Sequence, residues 1–115
     1  MKLNYKLNSE AFVFCSVQKS LFKESDILLF FREIEGNTYV VSEKIALSKK
    51  IYFKETWALI SVETTTALND VGITNHISSI LVKHKIPCNM IAAFHHDHLF
   101  IPYNLASDAL RILCK

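Results

Sequence analysis

Residues 56–85, "TWALISVETTTALNDVGITNHISSILVKHK", hold two periods side by side. The opening "TWALISVE" (56–63) is a short apolar, β-prone run and is expected to be a strand. Further on, Ile73, Ile77, Ile80 and Leu81 fall at i, i+4, i+7 and i+8, one face of an amphipathic helix. Pro87 is expected to stop that helix. Downstream, "PCNMIAAFHH" (87–96) and "HLFIPY" (98–103) read as two strands. Asn104 is a good N-cap for a last helix, in which Leu105, Ala109, Leu110, Ile112 and Leu113 supply the apolar stripe. The order from residue 56 onward is therefore β-α-β-β-α.

The upstream half reads β-β-β-α. "AFVFCSV" (11–17) is expected to be a mostly buried strand. "DILLFFREIEGNTYVVSE" (26–43) is a hairpin with strands at 27–31 and 39–41. Its turn is placed at Gly36-Asn37, where a type II′ turn needs positive φ. "SEKIALSKK" (42–50) reads as a short helix capped by Ser42, with Lys49 and Lys50 favouring its C-terminal end. Phe31 and Phe94 stand before the two hairpin turns, 63 positions apart. From Phe12 to Phe31 is 19 positions and from Leu59 to Phe94 is 35; the excess of 16 is about one helix. The halves are expected to be related modules, residues 1–54 lacking the opening helix and residues 55–115 retaining it, packed as one unit. A β-α-β-β-α module leaves one sheet edge open. The N-terminal module is the expected donor of a covering strand, and a second subunit the next. The fold class is α+β, antiparallel sheet with helices on one face.

Composition narrows the function. A length of 115 residues suits one compact domain, and 50% hydrophobic residues allow a sizeable core. A net charge of +2, with lysines spread along the chain, argues against nucleic acid. No apolar run reaches the roughly 18–20 residues that span a bilayer, and "MKLNYKLNSE" has no apolar stretch of the signal-peptide kind. Three cysteines without CxxC spacing suggest reduced thiols in the cytoplasm.

"WALISVETTTALNDVGITNHISSILVKHKIPCNMIAAFHHDHLFIPYNLASDALRIL" (57–113) resembles an ACT domain, the small-ligand-sensing ferredoxin-like module. "VFCSV" and "FFREIEGNTYVV" resemble the N-terminal module of freestanding bacterial tandem ACT-like proteins, related in pattern to the ACT domains of cytosolic arginine sensors. The resemblance implies a βαββα domain joined to a truncated βββα module. It also implies paired domains, an amino acid or similar small ligand at a module or subunit interface, a homodimer or higher oligomer, and no catalysis.

Two stretches carry candidate chemistry. Asn69, Asp70, Val71, Gly72, Ile73 and Thr74 join a strand to a helix N-terminus, where exposed N–H groups and the helix dipole meet an anion. This suits the carboxylate of an amino acid, with Asp70 available to its ammonium group; ACT ligands sit at the corresponding loop. The plainer alternative is that Asn69 or Asp70 caps the helix and Gly72 makes a tight turn. Thr65 and Thr66 offer hydroxyls nearby, or simply hydrogen-bond the loop. The second stretch is His95, His96, Asp97 and His98. Alternation along a strand puts His96 and His98 on one face and His95 on the other. Zn²⁺ wants three or four converging ligands, so a metal site would need His76, His84 or a neighbouring subunit. The simpler reading is a polar hairpin tip in which Asp97 makes the turn's hydrogen bonds, with a ligand or interface role open. Cys88 and Cys114 have no sequence-local base and are expected to pack.

The leading expectation is a non-enzymatic, cytoplasmic ACT-like sensor of an amino acid or similar metabolite, with no metal and no cofactor. Its rivals are a metal-dependent enzyme built on His95, His96 and His98, and an interaction module with an empty pocket.

Overall fold

The computed structural model describes residues 2–19, 21–65, 67 and 69–115. In chain order the elements are β1 (Tyr5–Val17), β2 (Ile27–Arg32), β3 (Asn37–Ser42), α1 (Glu43–Ser48) and β4 (Trp57–Val62). There follow α2 (Ile73–Lys83), β5 (Asn89–Ala92), β6 (Asp97–Pro102) and α3 (Ala106–Leu113). Short 3-10 turns at Glu24–Asp26 and Tyr103–Leu105 precede β2 and α3. The two halves are β-β-β-α and β-α-β-β-α, as the residue patterns require.

The chain forms two compact units. One is Glu10–Trp57; the other combines the chain up to Ser9 with Ala58–Lys115. In the first, the strands run β2-β3-β1, and in the second β1-β4-β6-β5. The 13 residues of β1 thus serve both. Its opening residues lie beside β4, where the Glu63 N–H donates to the Asn4 carbonyl at 2.8 Å. The Asn4 N–H in turn donates to Thr64 Oγ1 at 3.0 Å. The edge that a β-α-β-β-α module leaves open is covered by this strand. β1 starts at Tyr5 rather than at residue 11, because Leu3, Tyr5 and Leu7 alternate onto the apolar core of the second unit.

In that second unit Ile60 and Val62 of β4 and Leu99 and Ile101 of β6 are fully buried against Ile77 and Leu81 of α2 and Ala109 of α3. Each buried Ile or Leu contributes roughly 1.5–3 kcal/mol. Ile73 and Ile80 complete the helix face predicted from spacing. In the first unit Val13, Cys15, Tyr39, Val41 and Ala46 form the core. Phe22, Ile51 and Phe53, all outside helices and strands, pack on it and supply apolar cover where the companion unit has a second helix.

The hairpins differ in detail from expectation. β3 begins at Asn37, paired with Arg32, so the connection is 33–36 and Gly36 is its last residue. Gly36 adopts φ 152°. In the other hairpin Ala92 pairs with Asp97, and the connection is 93–96. The closing pairs are therefore 60 positions apart, not 63. Phe31 lies in β2, whereas Phe94 stands exposed in the connection. With that offset, the buried triplets Tyr39-Val40-Val41 and Leu99-Phe100-Ile101 coincide.

Helix ends also needed side-chain geometry. Ser42 caps α1 as expected, accepting from the Ile45 N–H at 3.3 Å. α2 ends before Pro87 has any part in it: Lys85 takes φ 57°, the Lys85 N–H donates to the Val82 carbonyl and the Ile86 N–H to Leu81. Lys50 does the same after α1 with φ 55°, through the Leu47 and Ala46 carbonyls. Both are left-handed C-terminal motifs, locked by burial of the following isoleucine, Ile86 or Ile51, against the core. Asn104 is not an N-cap; it lies inside the 3-10 turn, and Leu105 occupies the cap position of α3.

Candidate functional site

A cleft of about 490 Å³ opens at the start of α2. Asp70, Gly72, Ile73 and Thr74 line it from the loop and first turn, and Asn75 and Ser78 from further along the helix. Ala92 and Asp97 line it from the β5–β6 hairpin. Gly72 is the N-cap residue, at φ 90° and ψ −3°, and as a glycine it brings no side-chain cap of its own. The first helical bond is His76 N–H to the Gly72 carbonyl at 2.9 Å. The amides preceding it in the first turn have no intrahelical acceptor, so they form an electropositive end beside the cleft. Neither Asn69 nor Asp70 serves as cap. Asp70 instead closes its own loop: Oδ2 accepts from the Ala67 N–H at 2.6 Å, and the Asp70 N–H donates to the Ala67 carbonyl at 3.0 Å.

Asp97 is the one charged residue buried among the described residues, at 8% exposure. It is not at a hairpin tip. It opens β6, and strand alternation places it on the face of Leu99 and Ile101, which pack against the helices. A buried carboxylate therefore stands in the wall of a cleft whose other end is a helix N-terminus. Spacing along the chain gave no sign of this: the loop and Asp97 meet only because β6 lies beneath α2. Ala92, Asn75 and Ser78 were missed for the same reason, although Thr74 and Ser78 do share a helical face.

Other expected residues fall elsewhere. Asn69, Val71 and Thr65 are exposed and do not line the cleft; Val71 is 93% exposed. Thr66 lies outside the described residues. His95 is in the exposed connection with its ring against Phe94, centroids 5.0 Å apart. His96 and His98 come together, rings 6.5 Å apart, and a 2.8 Å hydrogen bond joins His98 Nδ1 to Ser61 Oγ. His96 Nδ1 is buried and has no hydrogen-bond partner among the described residues. Burial, then the neighbouring His96, pulls the His98 pKa down, and Asp97 works against them. His84 is spent on the end of α2, its Nδ1 bonded to the Ile80 carbonyl at 3.2 Å. Among the described residues no three His, Cys, Asp or Glu side chains gather into a group able to hold a metal ion. Burial pushes the Cys88 thiol up to about 11, which makes it a poor nucleophile. No helix among the described residues is long and apolar enough to cross a membrane.

Residues 52–115 match a family model described as an ACT domain, and residues 1–58 match a second model of the same description. The chain belongs to the ACT-domain family. No curated protein matches the sequence. A crystal structure from Vibrio cholerae, of a protein of unknown function described as a possible transport protein, is 32% identical. It covers 95% of this chain and 85% of its own, with a TM-score of 0.85. An Agrobacterium tumefaciens protein is 15% identical, covering 98% of this chain and 87% of its own, with a TM-score of 0.77. The ligand-free regulatory subunit of aspartate kinase from Thermus thermophilus is 8% identical, covering 95% and 93%, with a TM-score of 0.61. The last two share the fold.

Proposed function

We propose that this ACT-domain protein is a cytoplasmic, non-enzymatic sensor that binds a free amino acid or similar small zwitterion in the cleft lined by Asp70, Gly72, Ile73, Thr74 and Asp97. The observation that carries the reading is the presence, lining one small cleft, of a helix N-terminus begun by Gly72 and of the buried Asp97 carboxylate. A zwitterion is the complementary species. Its carboxylate accepts from the first-turn amides of α2, and its ammonium group pairs with Asp97. Asp70, already held by Ala67, adds negative charge at the rim. A volume of about 490 Å³ suits a molecule of amino-acid size. Free thiols at Cys15, Cys88 and Cys114 accord with a reducing compartment. A homodimer is part of the same proposal, since ACT domains often associate. The regulatory role extends to this chain what the Thermus thermophilus structure is named for, a kinase's regulatory subunit.

The test is a thermal-shift screen against the proteinogenic amino acids and related metabolites, because a ligand that binds the native state raises the melting temperature by mass action. At least one compound should raise it, and Asp97→Asn should remove that response. A panel without a single response would sink the reading.

A further inference from the structure

We infer that this chain carries a second ligand site, on the other flank of α2, and that it takes a phosphate monoester with a hydroxylated, partly apolar body, the chemistry of a nucleoside monophosphate. The site is a cavity of about 720 Å³ where the residues leading into β1, the residue after β4, α2 and the end of α3 meet. Thr74, Asn75 and Ser78 of α2 line the cleft described above, whereas His76 and Ile80, one turn apart, line this cavity. Ile77 and Leu81 lie between the two flanks, in the core. Among the described residues the two sites share no lining residue. The inference therefore stands or falls independently of the sensor reading.

Three kinds of surface meet in the cavity, and together they identify the ligand. Part of the lining is apolar and fixed: Leu113 is buried, and Leu3 and Ile80 pack on the same core. A second part consists of donors, the ammonium groups of Lys2 and Lys115, the His76 ring and the Tyr5 hydroxyl. Burial, then the neighbouring Cys114, raises the Tyr5 pKa, so the phenol keeps its proton and acts as a donor. Among the described residues none of these four groups makes an ion pair or a side-chain hydrogen bond of its own. Four donors, two of them ammonium groups, match the oxygens of a phosphate dianion. The one carboxylate side chain in the described lining is Glu63, which likewise has no ion-pair partner among the described residues. Glu63 repels a bare anion but accepts from hydroxyl groups, so the complementary anion carries donors on its body. Ribose hydroxyls are the group that a carboxylate binds in nucleotide sites. A fatty acid leaves Glu63 without a partner, and a sugar phosphate leaves the apolar lining uncovered. A nucleoside monophosphate meets all three surfaces, and the volume is in the range of sites that enclose a ligand of that size.

Cys114 makes occupancy measurable: its thiol lines the cavity and is exposed, while Cys15 is buried and the Cys88 thiol is pushed up to about 11. The test is the rate of Cys114 alkylation by iodoacetamide, read by peptide mass spectrometry, with and without each of the four ribonucleoside 5′-monophosphates. At a concentration about tenfold above Kd, at least one of them should slow alkylation about tenfold, since only the unoccupied fraction reacts. Its nucleoside, ribose 5-phosphate and inorganic phosphate should each protect far less at that concentration. The 2′-deoxy analogue should bind about tenfold more weakly, having lost a hydroxyl that donates to a charged acceptor, and Glu63→Gln should remove that preference. Lys115→Glu should abolish protection. Protection is a ratio within one variant, so a changed thiol reactivity cancels. Glu63 and Lys115 are exposed, so both variants should keep the parent's melting temperature. Absence of protection by all four nucleotides overturns the inference. So does equal protection by the nucleoside, ribose 5-phosphate or inorganic phosphate, protection that survives Lys115→Glu, or a 2′-hydroxyl preference that Glu63→Gln leaves intact.

Discussion

Replacing Gly72 separates what its backbone does from what its lack of a side chain permits. At φ 90° an L-residue is strained, yet a Cβ built there meets nothing within 4 Å. Gly72→Ala therefore pays for conformation alone, about 1 kcal/mol. For a chain of this size that is a fall in melting temperature of roughly 3–6 °C. Gly72→Asp carries the same strain but recovers part of it, since an aspartate at N-cap accepts from the first-turn amides. The ligand response should move the opposite way. Alanine leaves those amides open, whereas the new carboxylate occupies them and repels the ligand's own. At a ligand concentration a hundredfold above Kd, native-state binding adds about 2.7 kcal/mol. That increment should survive in Gly72→Ala and vanish in Gly72→Asp. Paired urea melts with and without the compound found by screening measure both quantities. The reasoning fails if the aspartate variant keeps the full increment, or if alanine abolishes it equally, which would implicate loop shape rather than charge. An alanine variant as stable as the parent would refute the strain argument.

Two further outcomes follow from the backbone and from burial. Lys50 and Lys85 hold left-handed φ of 55° and 57°, so Lys85→Gly and Lys50→Gly should each stabilise by about 0.5–1 kcal/mol, additively in the double variant, as read from urea midpoints. The His98 pKa is lowered in the folded chain, so the folded state binds fewer protons than the unfolded one near and below the ordinary value of about 6.5. The stability this confers is complete above about pH 6.5 and is lost as pH falls through the lower folded value. Melting temperature should therefore drop more between about pH 7.5 and 5 for the parent than for His98→Gln; equal slopes would show that His98 is not responsible.

Much of the fold was legible because local signals agreed with one another. The helix stripe of Ile73, Ile77, Ile80 and Leu81, the Ser42 cap and the apolar runs of β3, β4 and β6 each follow from spacing or residue type. What sequence misplaced depended on partners far along the chain. Asn37 starts a strand because Arg32 pairs with it, which turned an expected two-residue turn into the connection 33–36. Leu3, Tyr5 and Leu7 alternate plainly, but polar neighbours hid the strand until the core beneath them was known. Lysine at a left-handed C-terminal position defies propensity, and burial of Ile51 and Ile86 enforces it. The loop at 69–74 is legible as chemistry from its residues, whereas the carboxylate that lines the same cleft lies more than twenty positions away. Asp97 sits among three histidines in sequence, yet its side of the strand is set by the pleat, and the pleat sends it to the opposite face from His98.

The absent helix explains why the two modules are not interchangeable. Both hairpins have the same strand order, β2-β3-β1 and β5-β6-β4, and each leads into a helix that follows the buried triplet. What the N-terminal module lacks is the strand-to-helix loop and the helix N-terminus that follows it, the features that line the cleft in its companion. With no α-helix between β1 and β2 the path between them is short, so β1 need not end where a β-α-β unit would begin its crossover. The same strand extends back through Tyr5 and lies beside β4, the place a closing strand would take. At the position equivalent to Asp97, sixty residues earlier, stands Asn37, a half-buried neutral residue with no helix N-terminus to complement. The unit with the second helix holds a helix N-terminus and a buried carboxylate in one cleft, and the other unit, without that helix, has a neutral asparagine at the equivalent place.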